Sequence, residues 1–403
     1  MRYLVLIFWL GIGHYAQCQS NTRSPKKSVA RMKKSVDYLA SDRLEGRRTG
    51  TIGEKLAYEY ISNQFNKAGL SPIGDSGTYL QAFELGNKEQ RTGHNVLGFI
   101  DNNAPSTIVL GAHFDHLGYG EDKNSLYSDS VPMIHNGADD NASGSAMLLE
   151  LSKWLKKSSL KKYNFLIASF SGEELGLFGS KYLTEHLPLP IGQVNCMINM
   201  DMVGRLNDSS HSISIGGYGT SPAWAGIVKA SDAYLKIRLD SSGMGPSDHA
   251  SFYKKDIPVL FFFTGTHSDY HKPSDDADKI NFEGMSHILS YVKNILTQAN
   301  SLEKMSFLKT RDVSSGSRSF KVSLGIMPDY TFAGPGVHVD GVSSGKPAEK
   351  AGIIKGDIIL KLGEIDINDV ESYMKALGKF EKGQTLSVKV KRGDSEIFIS
   401  VSL

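Results

Sequence analysis

Histidines and carboxylates recur in five short blocks of this chain: His113 and Asp115 in GAHFDHLG, Asp139 and Asp140 in HNGADDNASG, Glu173 and Glu174 in FSGEELG, Asp201 in INMDMVG, and His271 in DYHKPS. Imidazole nitrogens and carboxylate oxygens brought to one point suit a borderline cation such as zinc. Two histidines and three carboxylates suffice for two ions that share one carboxylate and a water. Paired ions lower the pKa of that water and steady an oxygen that turns negative during hydrolysis. A further carboxylate must then carry the proton to the leaving amine. Neighbouring glutamates in an extended turn point opposite ways, so one of the Glu173–Glu174 pair can ligate while the other takes the proton.

Each block also has an ordinary reading. An Asp-Asp pair is often a solvated turn, a Glu-Glu pair before a helix is a favourable charge at its amino end, and a loop histidine need hold nothing. Asp201 is harder to set aside, because an unpaired carboxylate inside an apolar run is costly. What argues against coincidence is position: all five blocks follow apolar runs that read as strands.

Those strands are expected at Phe83–Leu85, His94–Ile100, Thr107–Leu110, Phe165–Phe170, Val194–Ile198 and Pro258–Phe263. Helical spacing is expected at Val29–Leu39, Gly53–Leu70, Ala146–Leu155, Gly176–His186, Ser221–Tyr234 and Ile280–Gln298. The alternation predicts an α/β domain with a mixed, largely parallel central sheet flanked by helices. Open sheets of this kind bind ligands at the carboxyl ends of their strands, where the five blocks fall. Residues 301–319 are polar and read as a linker, and residues 320–403, with short strands and glycine turns, read as a small β-rich domain.

Length and composition set bounds. The 403 residues allow two domains. A net charge of +2 implies no strong pull toward nucleic acid or an anionic membrane. The apolar run Tyr3–Gly13 is too short for a comfortable membrane span and fits a secretory signal over residues 1–18, so an exported, periplasmic or secreted protein is expected. A lipoprotein acylated at Cys18 is the weaker alternative, because Gln17 fits poorly before a lipidated cysteine. Cys18 and Cys196 are the chain's two cysteines, so no disulfide framework is expected.

The blocks AHFDHLG, NGADDNASG, FSGEELGLFGS, INMDMVGR and DYHKPSDDADKI resemble, in order, the signature blocks of the two-zinc aminopeptidase family typified by secreted bacterial leucyl-type aminopeptidases. The resemblance covers a peptidase domain of residues 29–300. It implies a zinc-dependent aminopeptidase that hydrolyses the amino-terminal peptide bond through a zinc-bound hydroxide. Carried over by residue, His113 and Asp201 would bind one zinc, Glu174 and His271 the other, and Asp139 would bridge both. Glu173 would be the general acid/base and Asp115 the carboxylate that orients His113. Asp140 would follow Asp139 through a cis peptide, and Tyr270 would help the oxyanion. Asp248, in SDHASF, resembles a hydrogen-bonding aspartate near such sites, though a helix cap reads equally well. His116, His135, His249 and His267 lie near the blocks and are expected to be loop or supporting residues.

The tail, with SLGIMPDY and GVHVDGVSSGKPAEKAGIIKGDIILKLGEIDI, resembles a PDZ domain of the bacterial protease type over residues 320–403. Ser323, Leu324, Gly325 and Ile326 would be the loop whose amides take a peptide carboxylate, from a peptide or a protein C-terminus, with β-addition beside it. The competing readings are a glutaminyl-cyclase-like transferase on the same fold, which would need one zinc, a catalytically silent binding ectodomain, and an adaptor acting through the PDZ module.

Overall fold

The computed structural model describes residues 23–86, 90–127, 131–228, 233–310, 322–329, 332, 334–342 and 345–403. The proposed signal segment and Cys18 lie outside these. Nine strands form the larger sheet: β1 (Ser71–Pro72), β2 (Leu80–Glu84), β3 (Thr92–Ile100), β4 (Thr107–His113), β5 (Asn164–Phe170), β6 (Val194–Met200), β7 (Ser212–Gly216), β8 (Lys236–Leu239) and β9 (Val259–Phe263). Their order is β1-β3-β5-β4-β6-β9-β7-β8, with β2 also paired to β3. The four central strands, β5-β4-β6-β9, are mutually parallel, while β3 and β7 join them antiparallel.

Every residue of β4, β5 and β6 is buried. That is what continuous apolar runs demand, since a parallel sheet is covered on both faces. The two-residue period divides them between two cores. Ile108, Leu110, Phe165 and Ile167 enter the larger cluster with residues of helices α1 (Arg23–Leu39), α2 (Ile52–Ala68), α3 (Gly144–Lys157) and, beyond the short α4 (Phe178–Glu185), α5 (Trp224–Ile227) and α6 (His249–Tyr253), α7 (Phe282–Ala299). Val109, Leu166 and Ala168 enter the other, with Leu183 of α4 and Phe252 of α6. A large apolar interior on both faces makes the strand ends rigid supports.

Of the helix expected over Ser221–Tyr234, the described residues show α5, Trp224–Ile227; residues 229–232 lie outside the described residues, and Tyr234 is not helical. Residues after α7 run back along the larger domain. Met305 N donates to Asn195 Oδ1 at 2.7 Å and Leu308 N to the Thr220 carbonyl at 2.8 Å.

The C-terminal sheet contains β10 (Ile326–Pro328), β11 (Val337–Val342), β12 (Ile358–Leu362), β13 (Ile365–Asp366), β14 (Thr385–Arg392) and β15 (Ser395–Ser402), with helices α8 (Pro347–Ala351) and α9 (Val370–Leu377). All its pairings are antiparallel, and β10 is at one end of the order β10-β11-β12-β14-β15. Its own core includes Leu324, Val339, Ile359, Val388 and Val390. Among the described residues no helix is long and apolar enough to cross a membrane.

Candidate metal centre and active site

The carboxyl ends of β4, β5 and β6 deliver His113, Glu173, Glu174 and Asp201 to one place, and the loop after β9 adds His271. His113 Nε2 lies 3.3 Å from Asp140 Oδ1 and 3.3 Å from Asp201 Oδ1. His271 Nε2 lies 3.2 Å from Asp140 Oδ2 and 3.0 Å from Glu174 Oε2. Four ligand atoms held at ~2.0–2.1 Å around a tetrahedral ion stand about 3.3 Å apart. The separations around His113 are long for hydrogen bonds and right for tetrahedron edges. Among the described residues, two groups of donors could each hold a cation, His113–Asp140–Asp201 and His116–Asp140–Glu174, and Asp140 is common to both.

The shared carboxylate is therefore Asp140, and the expectation that Asp139 bridges is corrected. Asp139 turns away: its Oδ1 accepts from Gly204 N at 2.7 Å and its Oδ2 faces His267 Nε2 at 3.1 Å. The cis peptide lies one bond later than expected, between Asp140 and Asn141. Adjacent side chains must diverge, and only the local backbone decides which of two aspartates faces the histidines. That backbone is held hard. Asp275 Oδ2 accepts from both Asp139 N, at 2.9 Å, and Asp140 N, at 3.0 Å. Gly137 starts the turn at φ +55°, where a Cβ would meet the Asp140 carbonyl oxygen at 2.2 Å.

The remaining partners fix orientation. His113 Nδ1 is 3.5 Å from Asp115 Oδ1, and Asp115 also accepts from Thr49 Oγ1 at 3.0 Å and Glu173 N at 3.2 Å. Such outer contacts set a histidine's tautomer. Asp201 Oδ2 accepts from Ser247 Oγ at 2.7 Å. His271 Nδ1 faces the Asn124 carbonyl at 2.8 Å, which leaves Nε2 free to ligate. His116, expected only as a supporting residue, comes closer than that: its Nδ1 is 2.8 Å from Glu174 Oε1, and its Nε2 is buried without a partner among the described residues.

Burial pushes the Glu173 carboxyl well above its ordinary range; nearby His113 opposes this, and Glu174, Asp201 and Asp248 reinforce it. A carboxylate that is reluctant to stay charged is a good proton acceptor. Asp140 behaves oppositely: burial alone would raise it, yet contacts with His113 and His271 hold it well below the usual carboxylate value. Tyr270 stacks on His271, ring centroids 3.9 Å apart, and burial keeps its phenol protonated far above the usual range. Asp248 stands at the start of α6 but makes no cap hydrogen bond. Both its oxygens are buried without a hydrogen-bond partner among the described residues, and burial pushes it up to about 7.

Two supporting residues escaped the sequence reading. Arg47, 0% exposed, donates to the carbonyls of Phe114 (2.6 Å), Asn136 (2.6 Å), Gly137 (3.0 Å) and Leu39. It thereby ties the loop after His113 to the turn before Asp139. Asp275 lies inside the DYHKPSDDADKI block, where nothing distinguishes it from its neighbour Asp276.

The pattern that defines peptidase family M28 matches residues 95–296, half of the chain. The chain belongs to that family. A PDZ-domain pattern matches residues 307–403. The leupeptin-inactivating enzyme 1 of Streptomyces exfoliatus is 28% identical over 260 residues, 63% of this chain and 52% of that protein. The chain thus spans about half the length of the curated relatives it matches. The LapA aminopeptidase of Legionella pneumophila is similar in fold, with a TM-score of 0.53 at 20% identity over 70% of this chain and 76% of that one. So is the glutaminyl cyclase of Porphyromonas gingivalis, with a TM-score of 0.54 at 16% identity over 68% and 98%.

Proposed function

We propose that the chain is a two-zinc aminopeptidase acting on peptides, and that it is exported. His113, Asp140 and Asp201 would hold one ion, and Asp140, Glu174 and His271 the other. When bound, the ions would supply Lewis acidity for activating a water and polarising the scissile carbonyl. The observation that carries this reading is the Asp140 carboxylate, whose two oxygens face the two histidines at 3.3 and 3.2 Å.

The chain's own residues would do the rest. Glu173 accepts the proton of the attacking water at its carboxylate and returns it to the leaving nitrogen. Its burial favours holding that proton between the two events. Tyr270 keeps its hydroxyl proton and so can donate to the developing oxyanion. His116 holds Glu174 by one oxygen, which leaves the other for ligation. Asp115 keeps His113 in the ligating tautomer.

Metal analysis of the purified chain together with hydrolysis of a panel of aminoacyl amides tests this. About two zinc ions per chain, and chelator-sensitive release of the amino-terminal residue, are expected. One ion with ring closure of an amino-terminal glutamine would instead establish the cyclase, and neither metal nor turnover would refute catalysis.

A further inference from the structure

The cleft in front of the acidic cluster has a wall from the other domain. One cavity of ≈ 390 Å³ is lined both by that cluster and by Ser323, Gly325, Ile326, Pro328 and Lys346 of the PDZ domain. The contact is bonded: Thr266 Oγ1, on the loop between β9 and His271, donates to the Pro328 carbonyl at 3.1 Å. The carboxylate-type loop of the PDZ domain therefore opens toward the candidate active site.

Charge and local geometry say what this wall would take. Lys346 is the one cationic residue in the described lining, and its side chain is exposed. It packs directly against the loop. Gly325 sits at φ +77°, and a Cβ there would meet the Lys346 Cβ at 2.2 Å. The loop and the lysine turn are also joined by Ala348 N donating to the Leu324 carbonyl at 2.8 Å. Gly325 N donates to Ser323 Oγ at 3.0 Å, which holds the turn, and the exposed ammonium beside it can pair with a carboxylate. The same cavity is also lined by Glu173, Glu174, Asp140 and Asp201, the chemistry that would receive a peptide's amino end. The volume is at the small end of the ~300–1,000 Å³ usual for ligand pockets.

We infer that the PDZ loop and Lys346 form the carboxylate-binding end of the peptidase's own substrate cleft, so that the substrates are short peptides with a free C-terminus, held at both ends. The inference rests on the aminopeptidase reading of the acidic cluster. It replaces a PDZ groove that recruits a separate protein with one that measures the substrate.

The test uses the full metal-loaded chain. Leucyl-glycyl-glycine is compared with its C-terminal amide, and both with leucyl peptides lengthened by successive glycines. The free acid should exceed the amide in kcat/KM by about 10- to 100-fold, the scale of a hydrogen bond to a charged group. Lys346→Ala and Lys346→Glu should drive that ratio toward one, progressively, and rates on the free acids should fall as chains outgrow the cleft. N-acetyl-leucyl-glycyl-glycine should inhibit competitively, and more strongly than its amide. Hydrolysis with equal kcat/KM for acid and amide, or noncompetitive inhibition by the acetylated acid, would overturn this inference and leave the aminopeptidase reading standing. Failure to release leucine from any of these peptides or from the aminoacyl amides would remove both.

Discussion

The two halves of the candidate metal centre are built differently. On one side His113 and Asp201 stand at the ends of β4 and β6; their side chains are 1% and 11% exposed, and each is pinned by a further partner, Asp115 or Ser247. On the other side His271 comes from the loop that follows β9, at φ +53°, with a side chain 13% exposed, and is steadied by the Asn124 carbonyl. A histidine that two core strands support loses little freedom on binding an ion, whereas a loop histidine must be held there by its contacts. On the proposed two-ion reading, the contrast predicts that the ion beside His113 would be held tightly and the one beside His271 would exchange more readily.

The largest effect is expected at the shared residue. Asp140→Asn should empty both halves and lower kcat/KM by about 1,000-fold or more, since several kcal/mol of Lewis-acid stabilisation would go. Asp139→Asn should retain ligands for both ions, and metal content by mass spectrometry separates the two variants. Glu173→Gln comes next: kcat should fall at least ~100-fold with both ions retained, because only proton transfer is lost. His271→Ala should release one ion and keep the His113 ion, and dialysis against a weak chelator should remove the same ion first from the unsubstituted chain. Loss of both ions together would show that the halves are equally rigid.

Stability offers smaller tests. Arg47→Met strands four carbonyls and should destabilise the peptidase domain by about 3 kcal/mol in denaturant unfolding. Asp122, bound by Arg48 at 2.8 Å and Arg91 at 2.7 Å, resists the upward pull of burial and is held below its usual range by those guanidiniums. A depressed carboxylate stabilises the fold above its unfolded value and loses that contribution as pH falls through its folded one. Asp122→Asn should thus lower the melting temperature at neutral pH, with a difference that shrinks below pH ~4.

Much of the architecture was legible because it is periodic. The apolar runs before His113, Glu173 and Asp201 are long enough to require buried strands, and parallel strands present their ends on one side. What escaped depends on backbone detail that composition does not encode. Asp139 and Asp140 are chemically identical, and Asp275 and the Gly137 turn decide which of them faces the histidines. His116 read as a loop residue because its proximity to Glu174 comes from the parallel pairing of β4 with β5, not from spacing. Arg47 sits in a polar stretch, DRLEGRR, that reads as solvated surface, yet it is fully buried with carbonyl partners.

The most direct measurement is anomalous diffraction at the zinc edge from crystals of the metal-loaded chain. Two peaks should flank the Asp140 carboxylate, one beside His113 and Asp201 and the other beside His271 and Glu174, with the second peak the weaker after mild chelation. A single peak, or a pair with Asp139 between them, would contradict this.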